Sequence, residues 1–455
     1  MLFGTDGIRG RVGIPPFIIP HLIELGSALG TWARMRYGAC AKLLVIHDTR
    51  RSSSFVKAAL KTGLLHAAVD VVDGYILPTP GALHLMRAMP EINAAIIISA
   101  SHNPAEDNGI KLIDAQRGKL SHEDEHLITT LLQSNTTTHC SPAAWGDDMP
   151  YPFAASHYIT LLNNYFPGTW ARGIRVVIDT AHGATYHIAP AVFAACGAEV
   201  IAIHDQPNGY NINCKSGSVY PQPLVDAVFK HAADIGFAFD GDGDRIVLVT
   251  RRGEIKNGDD ILCCLLTHPD YQDTPAVVGT IMTNAAFEEH VVTCGKKLIR
   301  TAVGDKHVAD AMELHNAMLG GEPAGHILLR NYLISGDGVL VALKVLETIL
   351  MTGNWDIHTF HKYPQVLMNI PVTRIHNLHE EPFARILQDA HEIVQEGRIS
   401  VRYSGTEPLL RVMIEAKSQE RAAAVCTAIV DRLTRAFREY EENYMYGAKN
   451  YTQLQ

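Results

Sequence analysis

The residues of this chain best suited to chemistry lie at Asp240-Gly241-Asp242-Gly243-Asp244-Arg245. Three carboxylates at alternate positions cannot make a core strand, because unpaired buried charge is too costly. The intervening glycines let the backbone curl, so that the acids can converge on one hard cation. A calcium EF-hand also starts with acids at its first, third and fifth places, but it then needs Gly where Arg245 stands and Glu where Arg251 stands. Three carboxylates leave coordination positions for phosphate oxygens, as magnesium sites for phosphoryl transfer require. The bland alternative is an acidic surface turn.

A second polar loop, Ser99-Ala100-Ser101-His102-Asn103-Pro104, follows an apolar run, with Lys111 shortly after it. A serine so placed can be a nucleophile or a phosphate carrier, with a neighbouring base to take its proton and a cation to stabilise developing charge. The same residues also make an ordinary Ser/Asn/Pro turn. Near the C-terminus, Arg402-Tyr403-Ser404-Gly405-Thr406-Glu407-Pro408 is followed by Arg411. Hydroxyls and amides in a tight turn between two arginines suit a phosphate dianion. A hairpin turn accounts for Ser404 to Thr406 equally well, but less easily for the flanking arginines. Gly209 to Ser216 has Cys214 where a nucleotide P-loop needs its second glycine, which excludes an ATP site there.

The elements that must hold these loops recur as β-then-α units. Apolar runs at Leu43 to Ile46, Ala94 to Ile98, Val176 to Ile178 and Ile235 to Phe239 each end in a polar cluster. Those clusters are His47-Asp48-Thr49-Arg50, the serine loop, Asp179-Thr180-Ala181-His182-Gly183 and the acidic loop. Such alternation predicts parallel sheets with crossover helices, one of them over about 54–68, and ligands beyond the carboxyl ends of the strands. Thr136 to Tyr151 reads as a linker, Arg251-Arg252-Gly253 ends a unit, and His361 to Pro371 leads into the last one. The expected domains are therefore 1–150, 151–252, 253–365 and 366–455. The last should contain strands near 399–401 and 409–414, a helix over about 419–440, and a frayed tail after Asn443.

At 455 residues the chain is long enough for three or four domains. Its 47% hydrophobic and 19% charged residues are those of a globular protein, and a net charge of −9 argues against general nucleic-acid binding. The eight cysteines form no CxxC pair, which suits a reducing compartment. Asp6 stands where a signal peptide would be cationic, and no apolar run is long enough to cross a membrane, so a cytoplasmic location is expected. A homodimer is compatible with all of this.

Taken together, the serine loop, the acidic loop, the loop at 402–411, Phe3-Gly4-Thr5-Asp6-Gly7-Ile8-Arg9-Gly10 and Gly321-Glu322-Pro323-Ala324-Gly325-His326 resemble the α-D-phosphohexomutase family. The similarity runs to about Tyr440, and Asp179 to Tyr186 and Pro207 to Asn213 look like its glucosamine-phosphate branch. The resemblance implies an α/β protein: three related α/β domains with mixed sheets and a smaller C-terminal α+β domain around a central active-site cleft. It implies a phosphoserine at Ser101 and Mg2+ held by that phosphate with Asp240, Asp242 and Asp244. Arg9, His102, Lys111 and Arg245 would surround the moving phosphate. Lys306, Glu322, Ala324 and His326 would face the sugar. Arg402, Ser404, Gly405, Thr406 and Arg411 would hold the distal phosphate.

The implied reaction converts glucosamine 6-phosphate into glucosamine 1-phosphate through glucosamine 1,6-bisphosphate, with Lys111 or His102 as general base. The family's sugar loop usually has Ser where this chain has Ala324, so one hydroxyl contact is absent. Mannose or glucose phosphate as substrate, hydrolysis of the Ser101 phosphate, and a non-catalytic sugar-phosphate sensor are the competing readings. The presence of Ser101 and all three acids speaks against the sensor.

Overall fold

The four apolar runs become strands because each is flanked by turn residues and too short for a buried helix. In the computed structural model, which describes residues 3–4, 7–115, 118–134, 141–357, 360–394, 397–404 and 408–452, they lie in two of four sheets. The first sheet contains β1 (Ile8–Arg11), β2 (Lys42–His47), β3 (Asp70–Ile76), β4 (Ala94–Ile98), β5 (Asp107–Asp114), β6 (Gly118–Lys119) and β7 (Asp148–Pro150). Its order is β1-β5-β4-β2-β3-β7, with β6 beside β5. The second contains β8 (Arg175–Asp179), β9 (Glu199–Ile203), β10 (Ile235–Phe239), β11 (Ile246–Thr250) and β12 (Ile255–Lys256), in the order β12-β11-β10-β8-β9. The third contains β13 (Ala276–Thr280), β14 (Lys297–Thr301), β15 (Leu319–Gly321) and β16 (Ile327–Leu329), in the order β14-β13-β15-β16.

One pattern is repeated in all three sheets. Three parallel strands, β4-β2-β3, β10-β8-β9 and β15-β13-β14, are followed at one side by an antiparallel neighbour, β5, β11 or β16. The turn into that neighbour carries Ser101 in the first sheet, Asp240 to Asp244 in the second and Glu322 to His326 in the third. Every residue of β4 and β10 is buried, as expected of strands covered on both faces.

Residues Met1–Met282 and Lys296–Thr359 form one compact unit, and Thr283–Gly295 with Phe360–Gln455 a second. In the second unit β17 (Gln365–Pro371), β18 (Gly397–Tyr403) and β19 (Leu409–Ala416) form an antiparallel sheet in the order β17-β19-β18. Ile370, Leu410 and Val412 pack there with Phe383, Leu433 and Phe437 from the helices Phe383–Val394 and Gln419–Thr452. The helix Ala285–Thr293 belongs to this unit too. Glu415 accepts from the Ala285 N–H (2.6 Å), Asn284 Nδ2 donates to Tyr363 O (2.9 Å), and Arg398 Nη2 donates to Thr283 O (2.7 Å).

Two expectations need correction. Part of the linker is a strand, since β7 pairs in parallel with β3, which supplies an edge that so short a segment could not form alone. The final helix does not end near Tyr440 but continues to Thr452; Glu441 to Thr452 contains no proline to break the backbone ladder. No described helix is long and apolar enough to cross a membrane.

Candidate active site

Ser101 lies in the loop after β4 in left-handed backbone, with φ at 51°. A residue with a side chain persists there only when its surroundings fix it. Its N–H donates to Ser99 Oγ (3.0 Å), and Ser99 Oγ donates to Asp48 Oδ2 (2.6 Å). Arg50, its side chain wholly buried, reaches Asp48 through Nε (2.8 Å). Arg50 Nη2 donates to the carbonyls of Ser101 (2.9 Å) and Asn103 (2.8 Å), and Nη1 to those of Pro104 and Asp107. One planar fork thus holds four carbonyls of the serine loop.

The fixed loop presents Ser101 Oγ to the acidic turn between β10 and β11, where it donates to Asp240 Oδ2 at 2.6 Å. Asp240 Oδ1 accepts the Arg245 N–H at 3.2 Å. Asp242 Oδ2 accepts from Thr79 Oγ1 (2.7 Å) and Lys111 Nζ (2.9 Å), and Lys111 Nζ lies 3.4 Å from Asp244 Oδ2. Asp242 Oδ1 and Asp244 Oδ1 are buried and have no hydrogen-bond partner. The three acids offer oxygens that all lie within 4.8 Å of one another. Oxygen donors left open at this spacing, with their outer oxygens held by Thr79 and Lys111, fit a hard divalent cation.

The glycines are required by the space. A Cβ on Gly241 would lie 2.7 Å from Ser101 O, and Gly243 has φ +74°. The acidic turn can therefore press against the serine loop only with glycine at 241.

Charge is unevenly shared among these groups. Burial, then the charges of Asp244 and Asp242, push Asp240 well above the usual carboxylate range. Burial opposes the charge of Asp244 as well, but Lys111 and His326 hold it well below that range. His102, whose Nδ1 is 3.4 Å from Ser101 Oγ, is pushed down to about 4 by burial and by the cations Arg245 and Arg9. Its ring is neutral at physiological pH.

The third repeat contributes Glu322 and His326. His326 Nδ1 lies 3.8 Å from Asp244 Oδ1, and Glu322 Oε1 accepts the Gly304 N–H at 3.0 Å. Lys306 Nζ donates to Leu120 O at 3.2 Å, and the preceding Asp305 pairs with Lys119. Ala324 is exposed. The first unit thus brings Ser101, His102, Lys111, the acidic triad, Arg245 and His326 into one connected cluster, with Arg9 within electrostatic reach of His102.

In the second unit, Arg402 and Arg411 are direct partners across β18 and β19, and Ser404 begins the turn between these strands. Burial, then the neighbouring Arg411, lowers the pKa of Arg402, a pairing of like charges that an anion would relieve. Gly405 and Thr406 lie outside the described residues.

Sequence reasoning did not single out Thr79 or Arg50 as site residues. Arg50 lay in a strand-end polar cluster that could have flagged it, whereas Thr79, between Pro78 and Pro80, gives only a turn signal.

Domain families described as "Phosphoglucomutase/phosphomannomutase, alpha/beta/alpha domain I", "domain II" and "domain III" match residues 1–139, 156–253 and 257–363. The family's "C-terminal domain" matches 367–432. The phosphoglucosamine mutase of Ralstonia nicotianae is 39% identical over 445 residues, covering 95% of this chain and 98% of the relative. A phosphoglucomutase/phosphomannomutase family protein from Burkholderia thailandensis has a similar structure, with a TM-score of 0.79, 21% identity and 97% of each chain covered. The N-acetylphosphoglucosamine mutase of Aspergillus fumigatus, solved with GlcNAc-6P and magnesium, matches with a TM-score of 0.65, 17% identity and 96% of each chain covered. With four family domains in order and such relatives along nearly its whole length, the chain belongs to the α-D-phosphohexomutase family of isomerases, in the group of the phosphoglucosamine mutases.

Proposed function

We propose that this chain interconverts glucosamine 6-phosphate and glucosamine 1-phosphate through a phosphorylated Ser101 and a bound 1,6-bisphosphate. The observation that carries the reading is the Ser101 hydroxyl on Asp240 at 2.6 Å, inside a cluster of three acids, in a chain whose relatives are phosphoglucosamine mutases. In the first half-reaction the Ser101 Oγ–P bond breaks as a bond forms between that phosphorus and sugar O1, and the O1 proton passes to a base. His102 suits that role better than Lys111, because its ring is neutral while Lys111 is engaged by Asp242 and Asp244. After the bisphosphate turns round, the O6 phosphate returns to Ser101 and the proton to O6.

Asp240, Asp242 and Asp244, with the Ser101 phosphate, would hold a magnesium ion, which when bound would neutralise charge on the phosphoryl group. Arg9, Arg245 and Lys111 add fixed positive charge around it. Lys306, Glu322 and His326 face the sugar beside the exposed Ala324. Arg402 and Arg411, direct partners across β18 and β19, suit a phosphate.

The test is an assay of the purified protein with glucosamine, mannose and glucose phosphates, alongside Ser101→Ala. Glucosamine phosphate should turn over fastest, mass spectrometry should place one phosphate on Ser101 after incubation with the bisphosphate, and Ser101→Ala should be inactive but folded. Faster turnover of mannose or glucose phosphate would leave only the broader family activity, and an active Ser101→Ala would remove the carrier.

A further inference from the structure

The stretch 207–213 stands out in the sequence, yet nothing described so far uses it. It follows β9, and its last residue, Asn213, takes left-handed backbone with φ at 57°. Asn213 Nδ2 donates to Ser101 O (2.9 Å) and to Asn103 O (3.1 Å). These are the two carbonyls that Arg50 Nη2 also reaches, at 2.9 and 2.8 Å. Each carbonyl therefore takes two donors, one from the first repeat and one from the second.

Arg50 ties the serine loop only to its own repeat. The distance between a phosphate carrier and a metal-binding loop depends on a link between repeats, and Asn213 provides one. Its amide lies where the two loops meet: a Cβ on Gly241 would be 2.7 Å from Ser101 O and 2.8 Å from Asn213 Nδ2. Asn213 is itself held by its N–H to Ala181 O (2.9 Å), and its loop is tied again where the Arg51 N–H donates to Gly209 O (2.9 Å). Asn213 Oδ1 is buried with no hydrogen-bond partner, so the two carbonyls fix the side chain's place.

We propose that Asn213 is a positioning residue for phosphoryl transfer, pinning the Ser101 peptide against the acidic turn so that Oγ keeps its place on Asp240 in both half-reactions. This rests on the reading of Ser101 as the phosphate carrier. Asn213→Asp tests it sharply, because aspartate keeps the size and tolerates left-handed backbone, but its ionised carboxylate cannot donate to the two carbonyls. Asn213→Gly removes the side chain without straining that backbone.

Both variants should lose kcat on the order of a hundredfold, the scale of a small misplacement of reacting groups. KM for the sugar phosphate should remain close to wild type in both, as should magnesium affinity and melting temperature in Asn213→Gly; Asn213→Asp, which sets a carboxylate against two carbonyls, should melt somewhat lower. Single-turnover transfer from the bisphosphate to Ser101, followed by mass spectrometry, should slow by the same factor. Asn208→Ala, which removes the side-chain oxygen that accepts the Tyr210 N–H in the same loop, should leave kcat unchanged. An unchanged kcat in Asn213→Asp, or a loss in Asn213→Gly that merely tracks a lower melting temperature, overturns the proposal. Ser101→Ala measured beside them separates the two ideas. If it is inactive while Asn213→Asp is unimpaired, only the positioning role fails; if it is active, the carrier reading itself fails.

Discussion

At the scale of single residues, the acidic triad depends on which oxygen of each carboxylate remains open. Thr79 Oγ1 and Lys111 Nζ both hold Asp242 Oδ2, so Oδ1 is the oxygen left open. Thr79→Val keeps the shape and removes one of those donors. It should weaken magnesium binding about tenfold or more, the usual effect of losing an outer contact to a metal ligand. Calorimetric titration with magnesium checks this, and wild-type affinity in the variant would exclude Thr79 from orienting Asp242. His102 makes a second prediction at this scale. Its folded pKa of about 4 lies below the ordinary histidine value, so between the two the unfolded chain binds a proton that the folded protein does not. Stability should therefore fall as pH drops from about 6.5 toward 4. His102→Gln should lose less over that interval in melting temperatures recorded at each pH, and equal losses would refute the cause given for the shift.

At the scale of elements, the site is built from one device used three times, a turn from a parallel strand into its antiparallel neighbour. Close approach of two such turns is what Gly241 permits, so Gly241→Ala should force the serine and acidic loops apart. The expected cost is about 1–3 kcal/mol of stability, as for other overpacked positions. Turnover should fall on the order of a hundredfold, because the reacting groups would be displaced. Denaturant unfolding and kcat together check it, and near-native turnover would mean that the two loops need not touch. The strands that carry these turns were legible in the sequence because β4 and β10 are continuous apolar runs ending in polar clusters. The chemistry of the acidic loop was legible for the same local reason, since three acids and two glycines lie within five residues. Thr79 was not, because its partner Asp242 is 163 residues away and only the topology joins them. Nor was β7, whose three residues become a strand by borrowing the edge of β3.

At the scale of the whole molecule, three buried acids crowded together are a standing cost to the folded state when no cation is bound. Magnesium binds the folded arrangement and has no such site in the unfolded chain, so it should raise the melting temperature in a concentration-dependent way. A hundredfold excess over the dissociation constant corresponds to about 2.7 kcal/mol. Differential scanning calorimetry across a magnesium series, with Asp242→Asn as a control that responds less, checks the expectation; identical melting in chelator and in magnesium would contradict it. The division of the chain has a different kind of consequence. Thr283–Gly295 belongs with Phe360–Gln455, and its helix leans on Glu415, Tyr363 and Arg398. A shortened chain ending at residue 359 would keep that helix and lose all three of these partners. The C-terminal part is therefore not a cassette that recombination can exchange at a single seam. A replacement must either match the helix that stays behind or bring its own copy of 283–295, which ties the evolution of one end of the gene to a short stretch in its interior.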